Sequence, residues 1–283
     1  MPHRRLPTQP LHPDAVPDIA DRSTWQRSRN ELLSREKAHT REGDAIAAAR
    51  RRLPMTQVPD DAKVGGPNGP IPFAHIFEGR RVLLAYFHMW HDGEPWERQC
   101  EGCTFTASHL LRLEYLHERD VTAVVLSQGT CGESKPYADF LGYPAPWYSA
   151  RDSETLLAGR EFGFIACYLR TDEHAYETYW TTDRGTEAAD TSYHLLDLTV
   201  FGRQERWEDS PQDWPRQPEG QHPWRALGRP TAQWSVTDEP VAPAGPDDVC
   251  PGPAEDAVAL TPGGGHLVGE DVHQGKTASG VHS

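Results

Sequence analysis

The stretch VLLAYFHMWHDGEPWERQCEGCTFTASHLLRLEYLH, residues 82–117, decides the fold of this chain. Its first six residues are apolar or aromatic, too few for a helix and typical of a strand buried on both faces. A loop then carries Cys100 and Cys103 at C-x-x-C spacing, and the residues that follow predict a helix that begins at Cys103. The apolar stripe of this helix consists of Phe105, Leu110, Leu113 and Leu116.

Cys100 and Cys103 lie where the predicted strand passes into the predicted helix. The unpaired N–H groups and the dipole at a helix N-terminus favour a thiolate there. In such a dithiol we expect Cys100 to be the more exposed nucleophile and Cys103 to resolve the mixed disulfide. Between them stands Glu101, whose carboxylate is expected to raise the pKa of the Cys100 thiol and lower its reactivity. The pattern therefore predicts a redox dithiol that is not strongly oxidising.

A second apolar run, residues 121–127, follows the predicted helix, and the three elements form a βαβ unit with parallel strands. The proline-rich residues 143–149 are expected to form an extended loop. Five further elements are predicted: helices at residues 133–141, 152–160 and 188–198, and an antiparallel pair of strands at residues 164–170 and 176–181. The last helix is expected to face the core through Leu195, Leu196 and Leu198. This order predicts an α/β, thioredoxin-like fold, in which helices flank a mixed sheet.

Composition divides the chain into four regions. They are a disordered arm at residues 1–22, a thioredoxin-like domain with an N-terminal helix at residues 23–206, a partly docked segment rich in proline and tryptophan at residues 207–239, and a disordered tail at residues 240–283. The N-terminal helix is expected to be largely solvated, with Ser23 as its N-cap and a break at Gly43. The tail contains Cys250, which is expected to be an idle thiol.

Charge and apolar content exclude several function classes. A net charge of −14 argues against nucleic-acid binding, which usually requires a basic face. The chain has no apolar run of the roughly 18 residues that a membrane helix needs, and its N-terminus lacks the apolar core of a secretory signal. We therefore expect a cytoplasmic protein with no membrane partner and no cofactor. In a reducing compartment a C-x-x-C pair is more often redox-active or metal-binding than structural.

A metal-binding alternative uses the histidines that precede the dithiol. His88 and His91 form an H-x-x-H pair, and together with Cys100 and Cys103 they are a ligand set that zinc would accept. The competing interpretation is that both histidines only line the loop, one hydrogen-bonded and one exposed. We favour this second interpretation.

Other side chains are candidates for lesser roles. Cys131 follows the second strand at the sheet edge that the dithiol loop shares, so it could approach the pair, although a half-buried free thiol is the commoner outcome. Cys167 lies within an apolar strand and is expected in the core. The aromatic residues that could wall a substrate groove are Trp96, Trp147, Tyr148, Tyr179 and Trp180.

Eight short motifs resemble a known bacterial family. They are AHTREGDA (38–45), RRRLP (50–54), HMW (88–90), CEGC (100–103), YLHERDV (115–121), PWYS (146–149), ETYWTT (177–182) and LDLT (196–199). The family that they resemble is called domain of unknown function 899, and the match covers about residues 23–215. The resemblance implies a thioredoxin-like fold and no particular reaction.

Two features depart from working thioredoxins and peroxiredoxins. Thioredoxins carry a cis-proline just before the third strand of this order, and residues 159–163 contain no proline here. Peroxiredoxins carry a threonine three residues before the reactive cysteine, where this chain has Glu97. Neither mechanism transfers whole to this chain.

The sequence therefore supports three hypotheses for function. The first is a thiol–disulfide oxidoreductase in which Cys100 attacks and Cys103 resolves, with a protein disulfide or thiol as its partner. The second is a non-catalytic thioredoxin-like module that binds a protein. The third is a zinc site built from the histidine pair and the cysteine pair.

Overall fold

The computed structural model describes most of the chain, namely residues 15–172, 174–217 and 224–237. The predicted disorder of residues 1–14 and 240–283 falls outside this part, and so does Cys250. Among the described residues, no helix is long and apolar enough to cross a membrane. The domain boundaries inferred from composition stay predictions.

A mixed sheet of eight strands forms the centre of the fold. The strands are β1 (Thr56–Gln57), β2 (Lys63–Gly66), β3 (Gly69–Pro72), β4 (Val82–His88), β5 (Val121–Ser127), β6 (Trp147–Ser149), β7 (Phe164–Arg170) and β8 (Ala175–Thr182). They lie in the order β1-β8-β7-β4-β5-β6-β2-β3. Strands β4, β5 and β6 are parallel, whereas β7 is antiparallel to both of its neighbours, β4 and β8.

Short helices and a small second sheet surround the centre. The α-helices are α1 (Arg22–Arg50), α2 (Glu101–Ala107), α3 (Glu114–His117), α4 (Cys131–Leu141), α5 (Glu154–Leu157) and α6 (Thr191–Leu196). Four 3-10 helices occupy Phe73–Phe77, Trp96–Arg98, Asp183–Ala189 and Thr231–Ser235. The second sheet consists of β9 (Arg225–Ala226) and β10 (Arg229–Pro230).

The succession of elements from β4 to α6 is thioredoxin-like, which confirms the predicted fold class. Strand β4 is the central strand of this unit, and its alternate side chains enter two different cores. Leu83 and Phe87 belong to the core on one face, which also includes the 3-10 helix before β4. Tyr86 belongs to the core on the other face, together with Cys100 and Cys103. The dithiol is therefore packed directly against the central strand.

The helix after the dithiol begins earlier and ends sooner than predicted. It begins at Glu101, because Cys100 is the N-cap residue and its sulfur accepts a hydrogen bond from the backbone N–H of Cys103. It ends at Ala107, where the side chain of Ser108 bonds to a carbonyl of the helix at 2.7 Å and competes with helical bonding. The predicted continuation of the stripe through Leu116 lies in the separate helix α3.

Helix α1 is continuous for 29 residues, so the predicted break at Gly43 is wrong. A Cβ at Gly43 would meet nothing within 4 Å, and a glycine in a solvated helix costs only about 1 kcal/mol. The N-cap is Asp21 rather than Ser23, since the Asp21 carboxylate accepts from the N–H groups of Ser23 and Thr24 at 2.8 and 3.0 Å.

The second half of the domain contains one unpredicted strand and one misplaced helix. Residues 147–149, expected to be loop, form β6 beside β5. The last helix spans only Thr191–Leu196 and buries Tyr193. The leucines predicted to face the core, Leu195, Leu196 and Leu198, are exposed, because the preceding residues form a 3-10 helix that changes which face points inward. The predicted antiparallel pair is confirmed as β7 and β8.

A matched pair of leucine substitutions tests this assignment of the core. Leu156 is 1% exposed and Leu198 is 82% exposed. We expect Leu156→Ala to lower the free energy of unfolding by about 2–5 kcal/mol, because it leaves a cavity. Leu198→Ala should change it by less than about 0.5 kcal/mol. Urea denaturation measures both, and a large loss for Leu198→Ala would restore the predicted inward helix face.

Candidate functional site

Cys100 and Cys103 lie at the junction of the loop after β4 with helix α2. Both are free thiols, and their exposed fractions are 1% and 2%. The prediction that Cys100 is the more exposed cysteine is therefore wrong. Any reagent must approach these sulfurs through a cavity rather than from the open surface.

Each sulfur accepts a hydrogen bond from a backbone N–H group. Cys103 N–H donates to Sγ of Cys100 at 3.3 Å, and Met89 N–H donates to Sγ of Cys103 at 3.3 Å. Donors of this kind stabilise a thiolate relative to a thiol. Because α2 has only 7 residues, these direct bonds matter more here than the helix dipole that the sequence suggested.

Tyr86, on the central strand, is a further neighbour of the Cys103 sulfur. Burial, and then the neighbouring sulfurs of Cys103 and Cys100, raise the pKa of Tyr86 well above its ordinary value. The hydroxyl therefore keeps its proton and can donate it in a hydrogen bond to the Cys103 sulfur. The C-x-x-C motif does not point to Tyr86. The sequence signal for it is that neighbouring strand residues face opposite sides, so Tyr86 faces the side of the sheet away from Phe87.

Glu101, between the two cysteines, forms a buried ion pair with Arg225. Its side chain is fully buried, and its Oε2 lies 2.8 Å from Nη2 of Arg225. The same guanidinium donates to the carbonyl oxygens of Glu97 and Gln99 at 2.5 and 3.0 Å. The expected effect of Glu101 on the Cys100 thiol assumed an unpaired carboxylate. Arg225 neutralises that negative charge, so the expected effect loses its basis.

Residues 224–237, which we call the strap, cover the start of α2. The ring of Trp224 lies so close to Gly102 that a Cβ there would be 3.3 Å from it. Trp224 also stacks on Phe105, with ring centroids 5.7 Å apart. Further along the strap, the amide of Gln233 donates to the carbonyl oxygen of Trp96 at 2.7 Å. The strap therefore lies against the turn that carries the dithiol.

A cavity of about 550 Å³ reaches both cysteines. Its aromatic lining consists of Tyr86, Phe105, Phe162, Phe164, Trp180, Tyr193, Trp207 and Trp224. Of the five aromatic residues that could have walled a groove, Trp180 lines this cavity, and Trp96, Trp147, Tyr148 and Tyr179 do not. Gly163, with φ of 102°, also lines it, at the place before β7 where the sequence lacks the thioredoxin proline.

Asp190, at the start of α6, lines the same cavity and is 3% exposed. Burial raises the pKa of Asp190 to about 6, an effect that a hydrogen bond from Thr106 opposes and the charge of Glu187 reinforces. A carboxyl group that titrates near neutrality therefore shares a wall with the dithiol. Sequence reasoning missed Asp190 because nothing local marks a buried aspartate.

The histidines do not assemble a metal site with the cysteines. His88 is fully buried at the end of β4, and burial lowers its pKa to about 4, so its ring is neutral. His91 is half-buried, with Nδ1 3.0 Å from the carbonyl oxygen of Arg98. Among the residues that the structure describes, no group of three or more His, Cys, Asp or Glu could hold a metal ion. The zinc hypothesis therefore has no ligand set among the described residues. The competing interpretation expected one exposed histidine, and His91 is half-buried instead.

The other described cysteines lie away from the cavity. Cys131 is the first residue of α4 and is a buried free thiol, whose pKa is raised by burial. Cys167 lies in β7, is half-buried, and also has a pKa raised by burial. Neither lines the cavity, and Cys131 is a free thiol, the outcome that the sequence favoured.

Comparisons with known proteins identify one family and several distant structures. The family described as "Bacterial protein of unknown function (DUF899)" matches residues 15–221. No curated protein matches the chain.

Three of the similar solved structures illustrate the distance. The chain is similar to an uncharacterized conserved protein from Geobacillus kaustophilus, with 16% identity over 56% of this chain and 75% of that chain and a TM-score of 0.34. It is similar to a putative thiol:disulfide interchange protein DsbE from Chlorobium tepidum, with 12% identity over 50% and 95% of the two chains and a TM-score of 0.32. It is also similar to peroxiredoxin Q from Xanthomonas campestris, with 13% identity over 50% and 94% of the two chains and a TM-score of 0.32. Similarities this low carry no argument about chemistry.

Removing the strap's arginine should expose the dithiol. We expect Arg225→Ala to cost about 3–5 kcal/mol of stability, because it leaves Glu101 buried and unpaired. Alkylation of Cys100 by iodoacetamide, followed by mass spectrometry, should become at least about tenfold faster as the strap loosens. Cys131 in the same variant should accelerate less than Cys100, and the exposed-site control Arg216→Ala should leave both rates unchanged. Equal acceleration at Cys131 would indicate global unfolding instead of strap release.

The raised pKa of Asp190 predicts a particular dependence of stability on pH. Because the folded chain holds this proton above the ordinary pKa of 3.8, stability should fall as the pH rises from about 4 to about 6. Relative to Asp190→Asn, the wild-type protein should lose on the order of 2 kcal/mol of unfolding free energy between about pH 4 and pH 7. Urea denaturation across this range measures the difference, with the exposed Asp209→Asn as control. If the difference in unfolding free energy between the wild type and Asp190→Asn stayed the same at every pH, the raised pKa of Asp190 would be wrong.

Proposed function

This chain belongs to the bacterial DUF899 family, and we propose that it is a thiol–disulfide oxidoreductase that uses Cys100 and Cys103. One observation carries the proposal. Two reduced sulfurs, three residues apart at the start of a helix, each accept a backbone N–H and open into the same cavity. That arrangement suits two successive attacks on one substrate.

In the proposed reaction, the Cys100 thiolate attacks one sulfur of a disulfide R–S–S–R′ and forms a mixed disulfide. The bond between the substrate sulfurs breaks, and R′S⁻ leaves and takes up a proton. The Cys103 thiolate then displaces RS⁻ and closes a Cys100–Cys103 disulfide. Two electrons pass from the dithiol to the substrate, and an external thiol reductant must restore the reduced pair.

Groups around the dithiol suit this sequence of steps. The N–H of Cys103 favours the thiolate of Cys100 that attacks first. The N–H of Met89 donates to the Cys103 sulfur, which makes the second attack, and Tyr86 lies beside the same sulfur. Asp190, with its pKa near 6, is suited to accept or return the protons that these steps exchange within the cavity.

Burial of both cysteines favours a second candidate from a different class. A thioredoxin-like module that only binds a protein would have no use for an accessible sulfur, and Cys100 is 1% exposed. In this alternative the dithiol is a structural remnant beneath the strap. The two candidates differ in one measurable property, which is whether the folded protein exchanges disulfides through Cys100.

Three cysteine substitutions test the proposal. We expect Cys100→Ser to lower the rate of disulfide reduction, with dithiothreitol as reductant, by at least about 100-fold, because the attacking sulfur is lost. Cys103→Ser should accumulate a mixed disulfide at Cys100 that intact-mass spectrometry detects. Cys131→Ser, outside the cavity, should match the wild-type protein. Equal rates for wild type and Cys100→Ser would leave the binding module as the better description.

A further inference from the structure

In the part of the chain that the structure describes, the nearly buried dithiol lines the cavity, and this geometry restricts what can reach it. We propose that the substrate is a small organic disulfide with an aromatic or apolar body and no net negative charge, rather than a protein disulfide. This inference rests on the proposed function and assigns the substrate class of the same site. Its support comes from the size, the cover and the lining of the cavity.

The cover excludes a large substrate. Trp224 lies over Gly102 between the two cysteines, and the Arg225–Glu101 ion pair ties the strap to the first turn of α2. A disulfide on the surface of a folded protein cannot approach Sγ of Cys100 unless this cover is displaced. A cavity of about 550 Å³, by contrast, is of the size that binds small organic ligands.

The aromatic lining selects the body of the substrate. Among the rings that face the cavity are those of Phe105, Phe162, Trp180, Tyr193, Trp207 and Trp224. Rings at this density bind flat or apolar groups through stacking and burial of apolar surface. A hydrophilic disulfide would lose its hydration on entry without regaining equivalent contacts.

The charged lining disfavours an anion. Five carboxylate side chains line the cavity, those of Glu161, Asp183, Glu187, Asp190 and Glu205. The two arginines of the lining are already engaged with carboxylates: Arg160 holds Glu177 in two bonds of 2.9 and 2.6 Å, and Arg184 bonds to Glu187 at 2.9 Å. A negatively charged disulfide would therefore meet more carboxylates than arginines, and both arginines of the described lining are already paired with carboxylates.

The covalent step remains the balanced exchange given above. Cys100 attacks one sulfur of the small disulfide, Cys103 displaces the bound half, and two thiols leave the cavity as the Cys100–Cys103 disulfide forms. A thiol reductant, dithiothreitol in the assay, returns two electrons to the protein. Dithiothreitol is small and uncharged, so neither the size nor the charge of the cavity excludes it, and its high concentration in the assay offsets weak binding.

Four oxidants separate the predictions of size and charge. They are 4,4′-dithiodipyridine, which is neutral and aromatic, 5,5′-dithiobis(2-nitrobenzoate), which is aromatic and anionic, glutathione disulfide, which is anionic and hydrophilic, and insulin, a protein disulfide. Second-order rates for the reduced wild-type chain are divided by those for N-acetylcysteine, which corrects for intrinsic reactivity. We expect the corrected rate for dithiodipyridine to exceed the other three by at least about tenfold.

Outcomes of this assay distinguish the two proposals. A corrected rate for insulin or glutathione disulfide equal to that for dithiodipyridine would overturn the substrate class and leave the oxidoreductase in place. No reaction through Cys100 with any of the four oxidants would overturn the proposed function itself. Comparison with Cys100→Ser identifies which thiol has reacted.

A matched pair of charge reversals tests the electrostatic part. Glu161 is exposed and lines the cavity, whereas Glu118 is exposed and does not. In Glu161→Lys, the rate with dithiobis(nitrobenzoate) relative to that with dithiodipyridine should rise about threefold or more, because an anion is no longer repelled at this wall. Glu118→Lys should leave the ratio unchanged. An equal ratio in both variants and the wild type would overturn selection by charge.

Discussion

The buried ion pair between Glu101 and Arg225 is the contact on which the site depends. It joins the first turn of α2 to a residue 124 positions later in the chain. Withdrawing both charges from water makes such a pair costly to form, yet removing one partner is costlier, since the other charge would then be buried alone. Its role is therefore positional more than stabilising. By also holding the carbonyl oxygens of Glu97 and Gln99, Arg225 sets the loop that delivers Cys100 to the helix.

Enclosure gives the dithiol its chemical character. The N–H groups of Cys103 and Met89 point at the two sulfurs inside a buried site, where hydrogen bonds are stronger than in water. Burial also raises the pKa of Asp190 to about 6, which places a proton-exchanging group in the same cavity as the reactive pair. A surface dithiol gains neither effect. Burial thus limits which substrates can enter while it strengthens the groups that would act on them.

The elements predicted best were those specified by neighbouring residues. Strands β4 and β5 were predicted because continuous apolar runs are local patterns, and their parallel pairing follows from the helical crossover between them. Helix α2 begins two residues before the predicted start at Cys103, because Cys100 itself caps the helix. The inward face of the last helix was wrong because the phase of a short helix depends on what precedes it. Leu198 is exposed for that reason, and Tyr193 is buried.

By itself, the sequence determined that a buried strand, a C-x-x-C dithiol and a helix follow one another in a thioredoxin-like order. Apolar runs, cysteine spacing and helical periodicity are local signals, so they can be recognised without the rest of the fold. Only the tertiary structure decided that the dithiol is covered, that Glu101 is paired with Arg225, and that Asp190 lines the same cavity. Burial, ion pairing and shifted pKa values arise between groups far apart in the chain, and no local pattern specifies which groups will meet.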